Sequence, residues 1–131
     1  VSAAQSQRVP LAALLGLMSN EAGQVGRISL NTNKTFDIGP MQINSSNLPL
    51  LVKRGLTEPM ILNNGCANAM AGAYLFSEAL REKNGDIWEA IGRYHSGTGH
   101  LGLKYQRRVY QRLNSQLKIK TIIEYANQSI K

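Results

Sequence analysis

A single cysteine in 131 residues excludes an intramolecular disulfide, and two histidines supply no recognisable metal-ligand spacing. No metal and no cofactor are therefore expected. No apolar run approaches the roughly 20 residues of a membrane-spanning helix, and no internal repeat, low-complexity tract or linker divides the chain. The opening stretch VSAAQSQRVP lacks the basic and apolar regions of a signal peptide, so an exported protein would be present here in processed form. Acidic residues are also scarce.

Eight Asp and Glu stand against fifteen Lys and Arg, a net charge of +7 with a pI near 9.9. That balance favours polyanionic partners: nucleic acid, anionic lipid, or an acidic polymer such as a cell wall. A hydrophobic content of 43% and a mean hydropathy of -0.23 fit one soluble globular domain over residues 1–131, with a core that needs no staple.

The first helix is predicted from about Pro10 to Ala22, with proline in the first turn and Gly23 beyond the end. Residues 26–44, rich in Gly, Asn and Thr, read as an ordered loop or small hairpin, with the β element near 27–38. LPLLVKRG reads as one or two helical turns, and TEPMIL as a helix start capped by Thr57. NNGCANAMAGAYLFSEALREKNG carries the strongest helical pattern, with Cys66, Ala69, Met70, Ala73, Phe76 and Leu80 at three- and four-residue steps. It is predicted to be central and mostly buried, with Cys66 an inert core thiol. Asp86 is predicted to cap a further helix, DIWEAIGRY. Residues 115–131 are predicted to form an additional amphipathic helix, with Ile119, Ile122, Ile123, Ala126 and Ile130 on one face. The expected fold is mainly α, with a minor β element.

So few carboxylates can be sorted one by one. Glu78 and Glu82 lie near Arg81 and Lys83 on a solvated face, Glu58 suits a helix first turn, and Asp86 is a cap. Glu89 and Glu124 have nothing distinctive around them, while Asp37, in the ordered loop, can bond to backbone or ligand. Glu21 differs. Leu14, Leu17 and Met18 precede it by seven, four and three residues, so all four share the core-facing side of a helix that ends there. Desolvation and the negative end of the helix dipole both disfavour the anion at such a place. Either Glu21 escapes to solvent as the helix frays, or it is kept as a proton donor, a general acid.

The residues after Glu21 bear on that choice. NEAGQVGRISLNTNKTFDIGPMQIN resembles the signature region of the lysozyme-like (SLT-type) lytic transglycosylases, where a catalytic glutamate closes a helix and a variable loop leads to Gly-Leu-Met-Gln. Here that segment is Gly39-Pro40-Met41-Gln42. AIGRYHSG resembles the family's Ala-Tyr-Asn-x-Gly motif through Tyr94 and Gly97, and KYQRRV its final Tyr-x-x-x-Val element through Tyr105 and Val109. The four elements, in order, span most of residues 10–113. Ala22, Pro40 and His95 stand where the family usually has serine, leucine and asparagine. The RYHS form resembles a variant in small transglycosylases that accompany secretion and conjugation machines.

The resemblance implies an α+β lysozyme-like fold and cleavage of the MurNAc-β-1,4-GlcNAc bond of peptidoglycan, with Glu21 catalytic as acid and then base. It implies a 1,6-anhydro product, a periplasmic or other extracytoplasmic location in a bacterial envelope, and a place beside a secretion or conjugation apparatus. Gln42 and Asp37 can hydrogen-bond sugar or acetamido groups, and Met41 can line the cleft. Tyr94 and Tyr105 offer an apolar face with a hydroxyl. Met41 and both tyrosines also read as core residues, and His95 either contacts substrate or caps a helix end. A monomer without nucleic-acid partners is expected. The alternatives are a goose-type lysozyme that adds water on the same fold, and a basic module without catalysis that binds or assembles.

Overall fold

The computed structural model describes residues 1–21, 23–95 and 111. Among the described residues six helices and three short strands follow in order: α1 Ser2–Gln7, α2 Leu11–Glu21, β1 Ile28–Leu30, β2 Phe36–Ile38, β3 Ile43–Asn44, α3 Leu48–Val52, α4 Glu58–Asn63, α5 Gly65–Glu82 and α6 Ile87–His95. The fold is mainly helical with a minor β element, as expected, and that element is a small antiparallel sheet in the order β1-β2-β3. The chain divides into two compact units. One is Glu21–Gly72; the other is Val1–Asn20 together with the chain from Ala73 onward.

The unit Glu21–Gly72 is organised around the sheet. Its first hairpin pairs Ile28 with Ile38 and Leu30 with Phe36. The turn is made largely by side chains. Asn33 Oδ1 accepts from the Thr35 amide at 3.1 Å and from the Thr35 hydroxyl at 2.6 Å, and Asn31 Nδ2 donates to Thr35 Oγ1 at 3.0 Å. Lys34 takes the left-handed conformation such turns require (φ 67°). Strand β3 adds the cross-strand pair Ile38–Ile43, and both side chains are buried. The β element thus reaches beyond the expected residues 27–38. Asn44 ends β3 and caps the 3-10 turn Ser45–Asn47 by accepting from the Ser46 amide.

Helices α3 and α4 both start with proline in the first turn; α4 begins where TEPMIL suggests. Thr57 occupies the cap position of α4, but its side chain makes no capping bond. Asn64 does this for α5, accepting from the Ala67 amide at 3.1 Å.

In the other unit, Val9, Leu11, Ala13, Leu14 and Leu17 are buried on the N-terminal side, and Ala73, Tyr74, Phe76, Ala79, Ala90 and Ile91 on the other. The Asp86 carboxylate accepts from the Glu89 amide at 3.0 Å and caps α6, as its position suggests. Glu78 pairs with Arg81, and Glu82 with Arg93 at 3.0 Å, on a solvated face where such pairs add little stability.

Two expectations for α5 are corrected. Cys66 is exposed, because it sits in the first turn ahead of the buried stretch. The most buried positions, Asn68, Ala71, Gly72, Ala73, Tyr74, Phe76 and Ala79, are mainly small residues, whereas Ala69, Met70 and Leu80 are only half-buried. At Gly72 the Met41 side chain approaches so closely that there is no room for a Cβ. Among the described residues no helix is long and apolar enough to cross a membrane. The amphipathic pattern of residues 115–131 lies outside the described residues.

Candidate functional site

Glu21 is the last residue of α2 and is half-buried. Two residues on, the chain passes against the loop between β2 and β3. A Cβ on Gly23 would collide with the Gly39 carbonyl oxygen and lie 2.7 Å from its carbon and 2.5 Å from Gln42 Nε2. The lack of a side chain at Gly23 serves a backbone-to-backbone approach.

The Gly39 carbonyl is the junction of this region. It accepts from the Gln42 amide at 3.0 Å and from Gln42 Nε2 at 2.9 Å. Gln42 curls back on the turn with φ 50°, a left-handed conformation that costs a non-glycine residue about 1 kcal/mol. Strain of this kind collects at functional sites, where the surrounding structure holds it in place. Gly39 is itself left-handed (φ 66°).

Met41 has no exposed surface. Gly72 of α5 lies so close that a Cβ there would be 2.7 Å from the Met41 Cε and 2.8 Å from its Cγ. Its side chain therefore anchors the loop from beneath. Asp37, on β2, is half-buried, and its Oδ1 accepts from Asn44 Nδ2 at 2.9 Å. Asn44 Nδ2 also donates to Thr35 Oγ1 at 3.1 Å, which ties the carboxylate into the polar network of the hairpin. Asp37, Met41 and Gln42 thus share one compact unit with Glu21.

Tyr94 and His95 belong to the other unit. The half-buried Tyr94 ring meets Phe76 edge to face, with centroids 6.4 Å apart and planes at 76°. His95 is exposed in the last turn of α6 beside Arg93, whose positive charge suits the helix dipole. Tyr105 lies outside the described residues.

A family model for the transglycosylase SLT domain matches residues 2–118. The chain belongs to this family. Among its relatives, Invasion protein IagB of Salmonella typhimurium is 31% identical over 90 residues, which is 66% of this chain and 56% of that protein. Protein IpgF of Shigella flexneri is 30% identical over 115 residues, 84% of this chain and 75% of that protein. A peptidoglycan-binding-like protein of Escherichia coli O157:H7 is 34% identical over 86 residues, 61% of this chain and 51% of that protein. The chain thus spans little more than half the length of the Salmonella relative it matches.

Two residues that hold this loop carry no local signal of their role. Gly23 reads as a helix stop, and nothing nearby in the chain announces that Gly39 will lie against it. Asn68 is hidden within an apolar helical pattern, yet it is fully buried and bonded to the loop. Its one trace in the sequence is a polar residue a single step away from the apolar stripe.

Proposed function

We propose that this SLT-family chain is a peptidoglycan lytic transglycosylase in which Glu21 acts first as acid and then as base. The observation that carries this reading is the placement of Glu21. A half-buried carboxyl group closes an apolar helix two residues before the Gly23–Gly39–Gln42 junction. Glu21 protonates the oxygen of the MurNAc-β-1,4-GlcNAc link as the bond from that oxygen to C1 breaks. The substrate's N-acetyl group stabilises the electron-poor C1. The Glu21 carboxylate then takes the proton of the C6 hydroxyl, whose oxygen bonds to C1. The result is a 1,6-anhydro sugar and a regenerated Glu21 acid, with no water consumed.

The peptidoglycan-binding-like relative in Escherichia coli supports peptidoglycan as the substrate. On this reading the protein works outside the cytoplasm, opening the wall locally for an envelope-spanning apparatus. The net charge of +7 aids capture of glycan strands bearing acidic stem peptides. Gln42 and Asp37 hold sugar or acetamido groups, and Tyr94, His95 and Tyr105 contribute to substrate binding.

Asp37 favours a second reading. It is another half-buried carboxylate in the same unit as Glu21, and a base there could activate water as in a goose-type lysozyme. Mass spectrometry of digested peptidoglycan separates the two. Transglycosylase action leaves anhydro ends lighter by one water, about 18 Da, than the reducing ends left by hydrolysis. Anhydro ends are expected; reducing ends alone would replace the first reading with the second.

The strain at Gln42 yields a further expectation. Gln42→Gly relieves a left-handed conformation worth about 1 kcal/mol while removing the side-chain amide. Thermal melting is expected at or slightly above the parent temperature, with glycan cleavage sharply reduced. A variant that retains full cleavage would remove Gln42 from the site.

A further inference from the structure

Asn68 is the buried polar residue of the described core, with 0% exposure. Its amide is bonded on both sides. Oδ1 accepts from the Met41 amide at 2.8 Å, while Nδ2 donates to the Ile38 carbonyl at 2.9 Å and the Ile61 carbonyl at 3.1 Å. Those bonds use both amide protons and one oxygen lone pair, three of the four bonds an asparagine side chain can make. Ile38 and Met41 are the residues that bracket Gly39-Pro40, so one side chain clamps both ends of that two-residue segment. The fit is tight: a Cβ on Gly39 would collide with Asn68 Nδ2 and lie 3.0 Å from its Cγ.

The clamp leads to the reacting groups through the chain's own contacts. With Ile38 and Met41 held, the Gly39 carbonyl is aimed at the Gln42 amide and at Gln42 Nε2. The same carbonyl sits where Gly23 passes, two residues from Glu21. A core that needed only volume at position 68 would take an apolar residue, since a buried amide stabilises little beyond its satisfied bonds.

We infer that Asn68 is a positioning residue of the Glu21 site: it fixes the Gly39–Gln42 turn and so sets Gln42 against Glu21 for glycan cleavage. The inference rests on the transglycosylase reading. It assigns to Asn68 an effect on turnover beyond its effect on folding.

The test uses Asn68→Asp and Asn68→Ser, with kcat and KM measured on soluble glycan strands. Each rate is divided by the folded fraction that circular dichroism gives in the assay buffer. Expected is a kcat per folded molecule about 100-fold below the parent, the scale of a misplacement near 1 Å, with KM little changed. Asn68→Asp supplies a readout that a purely structural role does not move. As an ionised carboxylate it has no proton for the Ile38 and Ile61 carbonyls; as the neutral acid it keeps an acceptor for Met41 and regains one donor. Its kcat relative to the parent is therefore expected to rise as the pH falls.

Parent-like kcat per folded molecule in both variants would overturn the inference, with the whole effect then lying in stability. Complete unfolding of both would overturn it as well, since Asn68 would then serve the fold as a whole. Failure of the underlying reading shows separately, as a parent protein that releases no anhydro product.

Discussion

Glu21→Gln is expected to end the release of 1,6-anhydro products while the protein stays folded. Glutamine keeps the length and branching of glutamate, and the position is half-buried at a helix end, so packing changes little. What disappears is the proton. Both halves of the proposed reaction pass through this one group, the transfer to the leaving oxygen and the removal from the C6 hydroxyl. Positioned proton transfer contributes about 10²–10⁴-fold to a rate, and no second residue is assigned to share it. The expected drop in cleavage is therefore at least about 100-fold, read from anhydro ends by mass spectrometry, with a circular dichroism spectrum matching the parent. Full activity in this variant would sink the mechanism. A parallel Asp37→Asn variant distinguishes the roles of the two carboxylates: on the proposed mechanism it weakens substrate binding and still yields anhydro ends.

The second large effect concerns folding. Gly23→Ala is expected to destabilise the protein by about 3 kcal/mol, the upper part of the usual cost of overpacking. The added methyl would meet the Gly39 carbonyl and Gln42 Nε2, and backbone cannot swing aside as the end of a long side chain can. Gly55→Ala is the matched comparison. Gly55 has φ +81° with nothing within 4 Å of where the added methyl would sit, so only conformational strain of about 1–2 kcal/mol opposes the change. Urea unfolding of the two variants separates steric packing from backbone strain. A Gly23→Ala loss near zero would show that the Gly23–Gly39 approach relaxes freely. Because the same contact adjoins Gln42, any folded Gly23→Ala protein is also expected to cleave glycan more slowly.

Several elements are legible in the order of residues. The start and end of α2, the proline-led starts of α3 and α4, the Asp86 cap and the long α5 follow from local signals, and local signals are short-range chemistry. The asparagine-rich hairpin turn is of the same kind, since its side chains bond within five residues. Helix α1 lacks such a signal. Its end is marked by Arg8 in the left-handed conformation (φ 55°), where a glycine would have announced the stop. Strand β3 is two residues long and owes its existence to pairing with β2, which no short window contains.

The sequence by itself determined the mainly helical character, the scarcity of carboxylates and the position of Glu21 at the end of an apolar helix. It also carried the resemblance to the SLT-domain family, to which the chain belongs. Tertiary structure alone decided which residues surround that loop. Gly23 meets Gly39 sixteen residues away, and Asn68 reaches Ile38 thirty residues away and Met41 twenty-seven. Periodicity reports which face of an element is apolar, but not what another segment will place against it. A close backbone approach and a satisfied buried amide leave no periodic trace, so they emerge only when the chain has folded.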